Sequence, residues 1–225
     1  MNVLAVGAHP DDIELGCGGA LLAHRKAGHR VTMLVMTGGE LGPTGNATRR
    51  AEQEDAAALL GAELRWGRFE DGLVPGDLTG VVAVEAALSA SGADIVYTHT
   101  TADTHQDHRA TASATLAAAR RSCRILSYES PSTVGFAPTL HIDVADFVEG
   151  KLDLVRAHMS QVLGCGLVDP EAIEAQARFR GFQARARYAE AFEAHRFVWS
   201  PLDPGLSVAP SHQVEESQEA PAWLR

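Results

Sequence analysis

Residues 3–12 read VLAVGAHPDD. An apolar run from Val3 to Ala8 stops at a His-Pro turn followed by two carboxylates. The run is too short for a helix and has no alternating wet face, so it reads as a strand buried on both sides, as in a parallel sheet. The chain around it repeats that logic. Gly18 to Gly28 reads as a helix with Leu21 and Leu22 turned inward and Gly28 as its stop. Val31 to Met36 is a second buried strand, ended by Gly38-Gly39, and Thr37 to Thr48 is a loop rich in Gly, Thr and Asn. Arg49 to Leu60 is a helix closed by Gly61, Glu63 to Trp66 a short strand, Leu78 to Ser91 a helix, and Asp94 to Thr98 (DIVYT) a strand. An Ala-rich helix over Arg109 to Arg121 and a strand over Arg124 to Tyr128 follow. Strands alternating with helices at this spacing predict an α/β fold: a Rossmann-like parallel sheet with helices on both faces.

Beyond Pro138 the pattern changes. His141 to Val144 is one more candidate strand. Ala145 to Gln161 and Asp169 to His195 read as two longer C-terminal helices, the second opening on Asp169-Pro170 as cap and first turn. From Pro201 the chain is rich in Pro, Ser, Glu and Gln without periodicity, and is expected to be an extended or disordered arm. The organisation expected is one domain over residues 1–199 and a tail over 200–225.

Composition narrows the function. Of 225 residues, 45% are hydrophobic, an ordinary globular value, and 19 Lys and Arg against 29 Asp and Glu give a net charge of −10. That balance argues against nucleic acid and membrane surfaces, both polyanionic. Cys17, Cys123 and Cys165 are odd in number and widely spaced, which fits free thiols in a reducing cytoplasm rather than a disulfide framework. The N-terminus has no basic flank ahead of its short apolar run, so no signal peptide is expected there. No apolar stretch reaches membrane-spanning length, and the sequon Asn46-Ala47-Thr48 then carries no meaning.

Ligands of open α/β sheets bind beyond the carboxyl ends of the strands. Two polar clusters fall at such ends: His9-Pro10-Asp11-Asp12, and His99 to His108 (HTTADTHQDH). Together they offer His9, Asp11, Asp12, His105, Asp107 and His108. Two histidines and a carboxylate are the ligand set of a catalytic zinc site with a position left for water, and a further carboxylate supplies a base. Singly, each cluster has a plainer reading, since an Asp caps a helix and His-x-x-His sits on many surface turns. Gly16-Cys17-Gly18-Gly19 does not match the GxGxxG of dinucleotide sites, because Leu21 stands at the third glycine. The glycines are expected instead to let a helix start pack closely under the polar loop. His158 is expected to pack or cap, Cys17 to be a small buried residue, and His24, His29, His195 and His212 to face solvent.

With those residues in hand, the sequence resembles the zinc-dependent de-N-acetylases of the PIG-L/LmbE type over residues 1 to 195, most closely their bacterial, bacillithiol-type members. AHPDDIELGCGG resembles that family's opening motif, and TGGELG at 37–42, RRAEQEDAAALLGA at 49–62, HQDH at 105–108, KLDLVRAHMSQ at 151–161 and YAEAF at 188–192 resemble its later blocks. The resemblance implies Zn2+ held by His9, Asp12 and His108, with Asp11 as general base. It implies His105 at the oxyanion or leaving amine, with Asp107 orienting it, and Tyr188 helping to hold the oxyanion. Arg50 and Asp71 are the implied sugar contacts. Gln106 stands where the family's second motif carries Pro. The implied reaction is removal of acetyl from an N-acetylated amino sugar or its conjugate, by a cytoplasmic homo-oligomer, a trimer or hexamer, that engages neither membrane nor nucleic acid. A non-catalytic ligand-binding member of the same fold and a nucleotide-dependent oxidoreductase are the competing readings.

Overall fold

The computed structural model describes residues 1–42, 44–122, 124–164 and 168–199. The chain runs β1 (Asn2–Gly7), α1 (Asp12–Lys26), β2 (Arg30–Thr37), α2 (Asn46–Leu60), β3 (Glu63–Phe69), α3 (Leu78–Ser91) and β4 (Ile95–His99). It continues with α4 (Gln106–Ala118), β5 (Arg124–Tyr128), β6 (Leu140–Asp143), α5 (Val148–Arg156), α6 (Met159–Gly164), α7 (Pro170–Ala184) and β7 (Ala189–Phe197). The strands form one sheet in the order β3-β2-β1-β4-β5-β7-β6. The first five are parallel, while β7 runs antiparallel to both β5 and β6, so the sheet is mixed.

Alternate residues of the central strands feed two cores. Val3, Ala5, Val31, Met33, Ile95 and Tyr97 pack with Ile13, Leu21, Ala57 and Leu60 of α1 and α2 on one face. Leu4, Val6, Leu34 and Met36 pack with Val84, Ala87, Ala114 and Ala118 of α3 and α4 on the other. Burial on both faces is why these strands read as unbroken apolar runs. The order places β2 and β3 on one side of β1, and β4 and β5 on the other. The crevice between the carboxyl ends of β1 and β4 is therefore the sheet's switch point, where this architecture binds ligands.

Several expectations are corrected. α1 begins at Asp12 rather than Gly18 and runs through the glycine cluster with a kink at Cys17 (φ −145°, ψ 16°). Close packing explains the glycines: a Cβ at Gly16 would overlap the Tyr128 ring, and one at Gly19 would press on Val144 at 3.0 Å. The expected helix over Ala145 to Gln161 is two, α5 and α6. The expected helix over Asp169 to His195 stops at Ala184. Asp169 caps it as expected, accepting from Glu171 N at 2.9 Å, but Arg185 turns left-handed (φ 62°) and the chain returns as β7. The expected arm over 200–225, together with Cys123, Cys165 and His212, lies outside the described residues. No helix among the described residues is long and apolar enough to cross a membrane.

Candidate metal centre and active site

The two loops that leave β1 and β4 meet over the switch point. Asp11 and Asp12 follow each other yet diverge, because Asp11 sits at φ 93°, a conformation uncommon for a residue with a side chain. Asp12 turns into a cluster of imidazoles. Its Oδ1 lies 3.3 Å from His108 Nε2, and its Oδ2 lies 3.4 Å from His9 Nδ1 and accepts from His9 N at 2.7 Å. Asp11 turns toward Arg49, whose Nη2 is 3.3 Å from Asp11 Oδ2 and donates to Pro10 O at 2.7 Å. Gln53 Oε1 accepts from Asp11 N at 3.2 Å.

The hydrogen bonds fix how the imidazoles are used. His9 Nε2 lies 3.0 Å from Asp71 Oδ1 and 3.1 Å from Asp107 Oδ2, so it carries a proton; burial pulls the ring's pKa down, but the hydrogen bonds to Asp107, Asp12 and Asp71 outweigh it and raise the pKa well above the usual value. His108 Nδ1 donates to Asp103 Oδ2 at 3.1 Å, which leaves Nε2 as the free donor atom. Asp103 is itself held by Ser130 Oγ at 2.6 Å and Ser132 Oγ at 2.7 Å. A carboxylate behind each ring is how metal-binding histidines are oriented. The free atoms, His9 Nδ1 and His108 Nε2, each stand 3.3–3.4 Å from an Asp12 oxygen. The two nitrogens thus face opposite oxygens of one carboxylate, His9 toward Oδ2 and His108 toward Oδ1. Burial lowers the pKa of both rings, but Asp12 and the carboxylates behind them outweigh it, raising His108 to about 9, so each ring would release a proton on binding; two neutral nitrogens and one carboxylate are then the donor set of a catalytic zinc ion. Three groupings each hold their ligand atoms within 4.8 Å of one another, His9-His105-His108, Asp12-His99-His108 and His9-Asp71-Asp107, and the expected set of His9, Asp12 and His108 draws on the first two.

Electrostatics separate the two carboxyls. Burial and the charge of Asp12 lift Asp11 to a pKa of about 6, although Arg49 opposes the rise. Burial would lift Asp12 as well, but His108 and His99 outweigh it and hold Asp12 well below the usual range. His105 stands at the half-open side of the cluster, its ring 4.7 Å from His9 and 4.6 Å from His108. Burial, then His9 and His108, lower its pKa, so it is neutral. Its Nδ1 accepts from Asp107 N at 3.2 Å, which puts the proton on Nε2 and makes that atom a hydrogen-bond donor.

The structure thus gathers His9, Asp11, Asp12, Asp71, His105, Asp107 and His108 into one place. Asp107 orients His9 rather than His105, since its Oδ2 faces His9 and also accepts from Gly72 N at 2.7 Å. Asp71 is spent on His9 and on Leu41 N at 2.9 Å. Two expected residues stand elsewhere. The Arg50 guanidinium lies 3.9 Å over the Trp66 ring, and it is Arg49 that reaches the site. The Tyr188 hydroxyl donates to Glu174 at 2.8 Å beside the α7–β7 turn. Arg49, Gln53, Asp103 and His99 are the site residues that sequence reasoning missed. Arg49 and Gln53 were legible in principle, being one helical turn apart on the stripe that continues to Ala56 and Leu60. His195 is exposed as expected, while His24, half-buried, bonds Tyr97 Oη at 2.9 Å and His29 is buried. His158 is fully buried, 3.5 Å from Glu14.

Known proteins resemble this chain in sequence and fold. The family model for PIG-L, GlcNAc-PI de-N-acetylase, matches residues 4–119. The uncharacterised deacetylase YaiS of Escherichia coli (strain K12) is 36% identical over 170 residues, covering 71% of this chain and 91% of YaiS. Among solved structures, the conserved protein TT1542 of Thermus thermophilus is 28% identical with a TM-score of 0.80, over 89% of this chain and 97% of that one. The N,N'-diacetylchitobiose deacetylase of Pyrococcus horikoshii shares the fold at 24% identity and a TM-score of 0.76, over 85% of this chain and 82% of its own.

Proposed function

The chain belongs to the PIG-L, GlcNAc-PI de-N-acetylase, family, and from that premise we propose that it is a zinc-dependent hydrolase removing acetyl from an N-acetylglucosaminyl-type conjugate. The observation that carries the reading is the divergence of Asp11 and Asp12: one carboxylate enters the imidazole cluster while its neighbour stays outside it with a raised pKa. His9 Nδ1, Asp12 Oδ1 and His108 Nε2 would hold the ion. When bound, zinc polarises the amide carbonyl and brings the pKa of water toward about 7. Asp11 takes the proton from the attacking water, as a base whose pKa suits work near neutrality. The His105 Nε2–H donates to the oxygen on which charge develops. Collapse breaks the C–N bond, and Asp11 or His105 delivers the proton to the leaving amine, giving acetate and a free amino sugar. Arg49 neutralises and positions Asp11 throughout.

In this reading residues 1–199 form one deacetylase domain that works in the cytoplasm as a trimer or hexamer on a small-molecule substrate. The test is a panel of N-acetylglucosaminides with different aglycones, following free amine and acetate, with bound metal measured on the same preparation. Zinc near one per chain together with acetate release supports the proposal. Zinc and tight sugar binding without release would make the chain a ligand-binding member of the fold.

A further inference from the structure

His99 has no part in the reaction just described, yet it ends β4 directly behind the metal cluster. It is fully buried. Its ring stacks on His108 with centroids 4.0 Å apart and planes 14° from parallel, and its other neighbour is the Tyr128 ring at 4.8 Å. Nε2 lies 3.1 Å from Asp12 Oδ2 and 3.2 Å from Ala8 N, while Nδ1 is buried with no hydrogen-bond partner. An apolar ring would fill this space without stranding a nitrogen, so packing alone does not account for a histidine.

Nε2 can serve only one of its two neighbours. As a lone pair it accepts from Ala8 N; as N–H it donates to Asp12. The first choice sets a lone pair against a carboxylate oxygen and leaves an N–H stranded at Nδ1. The second leaves Nδ1 with a lone pair in place of a stranded N–H and gives up the Ala8 N–H bond, and in return it makes a charge-assisted hydrogen bond to a buried carboxylate, the stronger of the two contacts. We propose that His99 is a positioning residue for the metal: its Nε2–H, together with His9 N–H, occupies Asp12 Oδ2. Oδ1 is then the oxygen left free to bind the ion, and the stacked ring holds His108 in plane beside it. The inference rests on the reading that His9, Asp12 and His108 hold zinc. His99 acts through Asp12 and touches neither substrate nor reacting atoms.

Two substitutions separate the hydrogen bond from the packing. His99→Phe keeps the ring and its stack but removes the donor; His99→Gln gives up the ring and restores a donor. Zinc affinity is read by titrating metal-stripped protein against a chromophoric chelator, with no substrate present. His99→Phe is expected to weaken zinc binding about ten- to a hundredfold, the scale on which such supporting partners act, and His99→Gln to recover most of the loss. Wild-type affinity in His99→Phe overturns the proposal, and so does a Gln variant as weak as the Phe variant. Nitrogen-15 shifts of His99 in the stripped wild-type protein give an independent answer that needs no variant to fold. A proton on Nε2 supports the proposal, and one on Nδ1 overturns it. Asp12→Ala in the same titration distinguishes the two levels. If Asp12→Ala binds zinc as the wild type does, the ligand assignment itself is wrong, whatever His99 does.

Discussion

Replacing Asp11 by Asn should make the protein more stable and nearly inactive at once. The side chain is buried, and its pKa rises from 3.8 to about 6, burial and the neighbouring Asp12 outweighing Arg49. A carboxylate raised by about 2 units is disfavoured in the folded state, by at most about 3 kcal/mol at pH 7. The sign follows from the direction of the shift: the folded state prefers the neutral form, so a permanently neutral amide relieves the penalty. The backbone tolerates the change, because Asn adopts positive φ more readily than most residues. The lost Arg49 contact at 3.3 Å offsets part of the gain. Removing a general base lowers kcat on the order of 10²–10⁴-fold, or about 3–5 kcal/mol in the barrier. The assay sets Asp11→Asn beside Asp12→Ala: urea unfolding of metal-stripped protein, zinc stoichiometry, and steady-state deacetylation. Asp11→Asn should retain zinc, unfold at higher urea and lose kcat; Asp12→Ala should lose zinc affinity by about ten- to a hundredfold or more. Loss of zinc from Asp11→Asn with retention in Asp12→Ala would reverse the roles. A stripped Asp11→Asn protein less stable than wild type would refute the burial argument.

Three further outcomes follow from other parts of the molecule. Glu190 is buried and accepts from Gly19 N at 2.9 Å, Ala20 N at 2.8 Å and Lys151 Nζ at 2.6 Å, so Glu190→Ala strands a buried ammonium and should destabilise by about 3–5 kcal/mol in urea unfolding. A loss under about 1 kcal/mol would contradict this. Arg49→Ala should lower kcat/KM well below wild type, whereas Arg50→Ala, which gives up only a contact over Trp66, should lose much less; equal losses would remove Arg49 from the site. His24 is pulled down to about 4, first by burial and then by His29, so the unfolded chain takes up its proton at higher pH than the folded one. The stability contributed by its neutral form is present above pH 6.5 and is lost as pH falls toward and through about 4. His24→Gln should therefore show a shallower loss of urea midpoint over that window, and an unchanged slope would exclude His24 as the cause.

What was legible in the sequence, and what was not, divides along physical lines. The central parallel strands β1, β2 and β4 could be read because burial on both faces leaves a nearly unbroken apolar run, a signal carried within each segment, whereas the half-buried edge strand β3 reads only weakly. β7 could not. Its sequence, AEAFEAHRF, has the composition of a helix, and the preceding helix ends at Arg185 without the glycine that usually marks such an end. What makes it a strand is pairing with β5 and β6, including Phe192 opposite Tyr128, and a partner from another part of the chain leaves no mark on local propensity. The start of α1 was hidden for the opposite reason. Gly16, Gly18 and Gly19 look like a loop, but they are helical residues pressed against Tyr128, Leu154 and Val144, and only the packed structure shows why side chains are missing there.

The site follows the same rule. Residues that carry their own chemical signature, such as His9, Asp11, Asp12, His105 and His108, stand at strand ends where the fold class alone directs attention. Residues that act by holding them have no signature of their own. Asp103 is one carboxylate among many until its Oδ2 is seen 3.1 Å from His108 Nδ1. Asp107 lies between two histidines of one motif, yet serves a third, His9, 98 positions away in the chain. His99 is the last residue of a buried strand, where an apolar side chain is the rule, and its polarity there was the one mark available. A polar residue at the buried carboxyl end of a switch-point strand is thus a signal in its own right: the strand has no use for it, so the site behind it does.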